Sequence, residues 1–141
     1  MTTAVIAASI LGAAGAVHLY WAAGGRKGFD AAVPHVVGKR WFTPGKAVTF
    51  AVALALFALA ALVLWRDGQI APPAQLALPF EIARYGVPLM ALVFLARAIG
   101  DFRHIGWSKR LRGSRFARLD DVLYAPLCLV LAICFAVVGM T

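Results

Sequence analysis

The chain is poor in charged residues, and in acidic ones above all. Only 14% of its 141 residues are charged, and just six are Asp or Glu, whereas 62% are hydrophobic. A soluble domain of this length has no need of so much apolar surface. The composition therefore excludes an ordinary soluble domain and favours a membrane protein.

Residue types that build metal and redox centres are also scarce. The two cysteines, Cys128 and Cys134, have neither the spacing of a redox Cys-x-x-Cys pair nor that of a zinc pair. We interpret both as small buried hydrophobic residues. The three histidines, His18, His35 and His104, show no His-x-x-His spacing, so no metal site is predicted and no cofactor can be named.

Motifs of nucleophilic, phosphate-binding or paired-carboxylate chemistry do not stand out either. The segment Gly24-Gly25-Arg26 is too short to be interpreted as a phosphate-cradling loop. The sequence leaves open whether the protein is an enzyme.

Four long apolar runs dominate the chain, over about residues 4–23, 47–65, 78–100 and 122–140. About 20 apolar residues are needed to cross a hydrocarbon layer of about 30 Å. Because lipid offers the backbone no hydrogen-bond partner, runs of this length must be helices. We therefore predict one all-α domain over residues 1–141, a polytopic membrane protein folded as a four-transmembrane-helix bundle. The first run lacks a preceding basic segment and is longer than the apolar part of a usual signal peptide, so we assign it as helix one. Cleavage after this run is the minor alternative.

The basic residues are distributed unevenly. Eleven of the fourteen Lys and Arg residues lie in the first and third connections, between residues 26 and 46 and between residues 103 and 118. Because cytoplasmic loops carry an excess of Lys and Arg, we expect these two loops in the cytoplasm and both termini in the periplasm of a bacterial inner membrane. The net charge of +8 then requires no nucleic acid. The expected partner is an anionic lipid headgroup, contacted by Lys109, Arg110 and Arg112.

Local patterns predict where the helices begin and end. Gly24-Gly25 is expected to end helix one, and Asp67-Gly68 through Pro72-Pro73 to form the turn between helices two and three. Asp120 or Asp121 is expected to cap the N-terminus of helix four.

Two patterns predict contacts of the helices. A ridge of small residues on helix one is expected to face a neighbouring helix, and it consists of Ala8, Gly12 and Ala16. Glu81 and Arg84 stand three residues apart on helix three, within pairing distance.

Ionisable residues within the predicted helices are informative, because a charge at membrane depth is costly unless it is paired. By topology, five residues reach a similar depth near the cytoplasmic side and form a candidate ligand site: His18, Arg97, Asp101, Asp120 and Tyr124. Arg97, Asp101 and His104 would form one stripe if helix three ran past Gly100. The alternative is structural, with Arg97 and Asp101 as an intrahelical pair and His18 bonded to a carbonyl.

A combination of short stretches extends over nearly the whole chain. Residues 17–25 are VHLYWAAGG and residues 97–103 are RAIGDFR; these are followed by Gly106, by Lys109-Arg110, by FARLD at 116–120 and by YAPLC at 124–128. This combination resembles a family of small four-helix bacterial inner-membrane proteins whose function is unassigned. The resemblance implies a four-helix membrane fold and no particular activity.

Three classes of function remain open. The first is binding or transport of a lipid-like or anionic small ligand, with Arg97 as the charge partner and the basic loops as collectors. The second is a membrane-embedded enzyme acting on a lipid, isoprenoid or quinone, with His18 or Asp101 as acid or base. The third is a non-catalytic partner subunit of another membrane protein, and a homo-oligomer is open as well. We rank binding or transport first.

Overall fold

Four long helices dominate the structure, a computed structural model that describes residues 2–36, 39–40, 42–71 and 80–141. The long helices are α1 (Thr3–Ala22), α3 (Lys46–Arg66), α4 (Phe80–Ile99) and α6 (Ala125–Met140). The short elements are α2 (Phe29–Ala32), the antiparallel two-residue strands β1 (His35–Val36) and β2 (Lys39–Arg40), and α5 (Arg115–Leu119). A π-helical segment, Asp120–Tyr124, joins α5 to α6.

The predicted all-α fold class is confirmed. In the described residues, four helical stretches are long and apolar enough to cross a membrane: Thr3–Ala22, Lys46–Arg66, Glu81–Ile99 and Arg115–Met140. The fourth begins at residue 115, well before the predicted residue 122. The predicted start of the third run at residue 78 and the predicted Pro72-Pro73 turn lie outside the described residues.

The helices pack as two pairs. α1 lies mainly against α3, α4 lies against α6, and a contact between α1 and α6 joins the pairs. The core includes Ala4, Val63, Val87, Phe135 and Val138. These residues lie in the first halves of α1 and α4 and the last parts of α3 and α6, and the core extends from the end of the bundle that carries the termini to about its middle. The opposite end carries the polar residues discussed below.

A glycine turn ends α1 where the sequence predicts it. Gly24 has φ +107°, and its N–H donates to the Trp21 carbonyl at 3.0 Å, while the Gly25 N–H donates to the Tyr20 carbonyl at 2.9 Å. This is a Schellman motif, which satisfies carbonyls that a helix end leaves unpaired. A Cβ on Gly25 would collide with the Tyr20 ring, so a larger residue there would have to displace that exposed side chain.

The predicted cap of helix four is wrong. Ser114 is the N-cap residue, and its Oγ accepts a hydrogen bond from the Ala117 N–H at 3.0 Å. Asp120 and Asp121 lie further along, in the π segment. They do not cap the helix because their carboxylates bond to side chains and backbone of the third connection instead.

The predicted pair of Glu81 and Arg84 is not formed either. Both residues are exposed, and the Arg84 guanidinium lies over the Tyr85 ring, 5.5 Å from its centre. An exposed ion pair contributes at most about 1 kcal/mol, and a cation over an aromatic ring gains a similar amount. The ring contact therefore competes with the expected pair.

The small-residue face of α1 also differs from the predicted ridge. A Cβ on Gly15 would lie 3.0 Å from the Phe57 ring of α3, whereas a Cβ on Gly12 would meet nothing within 4 Å. The residues that α1 buries are Ala4, Ala7, Leu11 and Gly15. The predicted ridge of Ala8, Gly12 and Ala16 is one residue away, because spacing alone does not distinguish two adjacent rows of small residues.

Replacing Gly15 by leucine is expected to destabilise the contact between α1 and α3. The added side chain would press on Phe57, and overpacking of this kind costs about 1–3 kcal/mol. Gly12→Leu is the matched control, since its Cβ meets open space. The melting temperatures of the two variants in detergent measure the difference, and equal melting temperatures would contradict the packing described.

Candidate functional site

The third connection folds back on the end of α4. Gly100, with φ +96°, ends the helix, and the N–H groups of Trp107 and Ser108 donate to the carbonyls of Ala98 at 3.0 Å and Ile99 at 2.9 Å. Gly106 packs against Gly100 so closely that a Cβ on either would collide with the other strand of the loop. The loop therefore has one compact conformation that two glycines make possible.

Asp101 holds this loop together. Its Oδ1 accepts hydrogen bonds from the backbone N–H groups of Arg103 at 2.9 Å, His104 at 2.6 Å and Ile105 at 3.0 Å. Its Oδ2 lies 3.0 Å from His104 Nδ1. Burial raises the pKa of Asp101, but the bonds from Ile105, His104 and Arg103 outweigh it, and the pKa lies well below its ordinary value.

The predicted stripe of Arg97, Asp101 and His104 is wrong, because α4 ends at Ile99. Asp101 is no longer helical and bonds to its own loop. The alternative prediction, an intrahelical pair of Arg97 and Asp101, is wrong for the same reason, and Arg97 pairs with a residue from another element.

That residue is Asp120, whose side chain is fully buried. Its Oδ1 accepts from Arg97 Nη2 at 2.9 Å, and its Oδ2 accepts from the Gly106 N–H at 2.7 Å and from Lys109 Nζ at 3.1 Å. One carboxylate thus connects α4, the third connection and the start of helix four. A buried charge requires such partners.

Lys109 is equally buried, with no exposed side-chain surface. Its ammonium donates to the Gly106 carbonyl at 3.1 Å, to Asp120 at 3.1 Å and to Asp121 Oδ1 at 2.5 Å, which uses the three donors of a lysine. The expected contact of Lys109 with lipid headgroups is therefore corrected, because this ammonium faces the interior. Arg112 completes the cluster from outside, donating to Asp121 Oδ2 at 3.1 Å with 59% of its side chain exposed.

We call Arg97, Lys109, Arg112, Asp120 and Asp121 the ion-pair cluster. The π segment that contains its two acids is a local widening of the helix, a feature often found at functional sites. One nitrogen of the cluster, Arg97 Nη1, is buried without a hydrogen-bond partner in the described part of the chain. Every carboxylate oxygen of the cluster accepts from a group on another part of the chain, so the cluster is suited to holding elements together.

His18 and Tyr124 lie elsewhere. His18 Nδ1 is 2.8 Å from the Ala14 carbonyl of its own helix, and its ring meets the edge of Trp21 at 5.1 Å. The Tyr124 hydroxyl donates to the Ala31 carbonyl of α2 at 3.1 Å. Of the five predicted site residues, the structure thus joins Arg97 with Asp120 and places the other three in separate contacts. Their role in ligand binding stays a prediction.

A groove that sequence reasoning missed lies where α1 ends and α3 begins. Its volume is about 460 Å³, and its lining consists of Trp21, Gly24, Gly25, Arg26, Phe29, Asp30, Thr43, Pro44, Lys46 and Thr49. None of the five predicted site residues lines it. The available signal was the glycine pair followed at once by Arg26, which by itself is too short to indicate a site.

Metal ligands are not assembled in the part of the chain that the structure describes, where no group of three or more His, Cys, Asp or Glu side chains is placed to hold an ion. Cys128 and Cys134 are free thiols, the first half-buried and the second buried. Neither lies in the ion-pair cluster.

Comparison with known proteins gives a single finding. The family model described as "Protein of unknown function (DUF3995)" matches residues 11–135. No curated protein and no solved structure matches the chain.

Removing the charge of Asp120 is expected to be strongly destabilising. Asp120→Asn leaves Lys109 and Arg97 without their shared carboxylate, and breaking a buried pair in this way costs about 3–5 kcal/mol. Arg112→Gln, which breaks an exposed pair, is the control and should cost less than about 1 kcal/mol. Thermal unfolding of both variants in detergent tests this, and similar losses would show that Asp120 is not a central tie.

Acidification is expected to loosen the third connection through Asp101. Its folded pKa lies below the ordinary value of 3.8, so the ionised form stabilises the fold above that value and the contribution is lost as the pH falls toward the folded pKa. Asp101→Asn keeps the acceptor oxygen but does not titrate. Unfolding midpoints of both proteins, measured from pH 5 down to about pH 2, should therefore converge as the pH falls below 3.8. Parallel curves would exclude this role of Asp101.

Proposed function

The chain belongs to the DUF3995 family, a family of unknown function, and we propose that it is a multi-pass inner-membrane protein that binds anionic, lipid-like ligands at one end of its bundle. This end is formed by loop one (residues 23–45) and loop three (residues 100–114). Both connections are basic, and the observation that carries the proposal is the exposed surface of loop three.

The loop-three surface combines apolar and cationic side chains: Phe102, Arg103, Trp107, Arg110, Leu111 and Arg112. Phe102 is 64% exposed, Trp107 41% and Leu111 38%, and the three arginines are exposed as well. Large apolar side chains and guanidinium groups side by side suit the boundary of an anionic lipid layer, where rings lie among the upper acyl chains and cations meet the headgroups.

Phe102 supports this interpretation through its backbone. Its φ is +62°, a conformation that costs a residue other than glycine about 1–3 kcal/mol. The Ser108 hydroxyl oxygen accepts its N–H at 3.2 Å, and the Asp101 turn fixes the residues that follow. The fold thus holds an aromatic residue in a strained and exposed conformation. Insertion of the ring into an apolar environment would offset the cost of that strain.

The ion-pair cluster supplies the rigidity that such a surface requires. Lys109 lies between Arg103 and Arg112 in the chain, and its buried ammonium fixes the loop to Asp120. Headgroup contact therefore falls to Arg110 and Arg112 of the predicted set, together with Arg103. Arg97 belongs to this support, since its guanidinium pairs with Asp120 and its Nη1 is buried.

Orientation follows from the same charges. Cytoplasmic leaflets carry anionic lipids, and basic segments are retained on that side. The proposal therefore places loops one and three in the cytoplasm and both termini in the periplasm. Anionic lipid explains the basic loops without any nucleic acid partner.

Binding is favoured over the other open functions. Transport would need a polar path to the other end of the bundle, where the structure has its apolar core. An enzymatic base at Asp101 is disfavoured, because a carboxylate whose pKa is lowered by three backbone N–H groups takes up a proton poorly near neutral pH.

Removing two loop-three cations should weaken retention of anionic lipid. For the variant Arg103→Gln/Arg110→Gln we expect a loss of about 1 kcal/mol per charge and a weaker dependence on salt. Native mass spectrometry can count the lipids that stay bound after release from nanodiscs of phosphatidylglycerol and phosphatidylcholine. Arg84→Gln, which removes an exposed charge from the first half of α4, is the control. Unchanged phosphatidylglycerol retention in the double variant would refute the headgroup role.

A further inference from the structure

The groove at the end of α1 has the composition of an anion site. Arg26 and Lys46 line it, both are exposed, and neither side chain has an ion pair or hydrogen bond in the described part of the chain. Lys46 Nζ lies over Gly24, 3.9 Å from the point that a Cβ there would occupy. These two cations thus differ from Arg97 and Lys109, which carboxylates already neutralise.

The single acid of the lining, Asp30, is not ion-paired with Arg26 or Lys46 in the described residues. It has an interaction of its own, and the lining holds two cations against this one acid. The side chains of the groove therefore have an excess of positive charge that faces an open space.

The start of α3 adds hydrogen-bond donors at the same place. Its N-cap is Gly45, which offers no capping side chain, and its first turn contains no acidic residue. The first N–H groups of a helix lack partners within the helix and form the positive end of its dipole. Thr43 brings a hydroxyl to the same wall. An anion in the groove would supply the missing cap.

Two aromatic rings also line the groove. The Trp21 and Phe29 rings meet edge to face at 5.7 Å, and Trp21 is fixed by a hydrogen bond from its Nε1 to the Lys27 carbonyl at 2.8 Å. An inorganic anion would gain no packing contact from these rings, whereas the organic part of a larger ligand can pack on them. The volume of about 460 Å³ is in the range of small-ligand pockets.

We propose that this groove binds the phosphate group of an organic phosphate, with Arg26 and Lys46 as its charge partners and the rings of Trp21 and Phe29 against its organic part. The phosphate belongs either to a phospholipid headgroup or to a soluble phosphate ester. The groove lies at the same end of the bundle as loop three, because α2 packs against α5. It shares no residue with the loop-three surface.

The test uses the full chain in phosphatidylcholine nanodiscs and two probes. Glycerol 3-phosphate is titrated from solution and followed by calorimetry, and phosphatidic acid is added to the nanodisc at rising mole fraction and counted on the protein by native mass spectrometry. Arg26→Gln/Lys46→Gln is compared with Lys27→Gln/Arg84→Gln. The second variant loses the same charge at exposed positions outside the groove.

We expect saturable binding of at least one probe, weakened about tenfold or more in the groove variant and less than twofold in the control, because only the groove variant loses the two charge partners of the phosphate. Binding of phosphatidic acid alone identifies a lipid headgroup, and binding of glycerol 3-phosphate alone identifies a soluble ester. If neither probe saturates, or if both variants lose binding equally, the site is refuted.

Two further measurements keep the result unambiguous. Both substituted residues are exposed, so the groove variant should keep the helical circular dichroism and melting temperature of the wild type. The variant Arg103→Gln/Arg110→Gln should retain groove binding. If the groove binds neither probe while loop three still retains anionic lipid, the groove site is refuted and the proposed function of loop three is not.

Discussion

The polar end of this protein depends on the hydrogen bonds and ion pairs of one buried carboxylate, that of Asp120. It accepts from Arg97 of α4, from the Gly106 backbone and from Lys109, so three parts of the chain meet at one charge. Burying a carboxylate costs several kcal/mol, which only such a set of partners offsets. Without it, the third connection would lose its link to Arg97 of α4 and would be held to the start of helix four by Asp121, through Trp107, Lys109 and Arg112.

The basic residues are of two kinds, those that pair with acids of the chain and those that are exposed. Arg97 and Lys109 serve the interior, since acids on another element neutralise them. Arg26, Lys46, Arg103 and Arg110 are exposed, and in the described part of the chain no carboxylate pairs with them. The net charge of the chain therefore overstates the number of cations that are available to a ligand at this end of the bundle. The distinction is invisible in the sequence, where Lys109 and Arg110 are neighbours.

Features that depend on the chain's local pattern could be predicted from the sequence. The apolar runs gave the four long helices, and Gly24-Gly25 gave the end of α1, because backbone hydrogen bonding and glycine conformation act over a few residues. The position of Arg97 could not be read in this way. Its partner lies 23 residues away in the chain, whereas spacing suggested Asp101, four residues away. The helix end at Ile99 decided between them, and one glycine with positive φ, Gly100, sets that end.

The candidate site shows the same limit more sharply. His18, Arg97, Asp101, Asp120 and Tyr124 do share one end of the bundle, as equal depth predicts, but depth leaves the direction of each side chain undetermined. The groove is instead the space between the end of α1 and the start of α3. One of its cations, Arg26, follows the glycine turn at the end of α1, and the other, Lys46, is the first residue of α3. Pattern alone assigns both to one undifferentiated basic loop. Whether a cation is free or paired is decided by tertiary contacts, and that property separates a surface able to bind an anion from one that only holds the fold together.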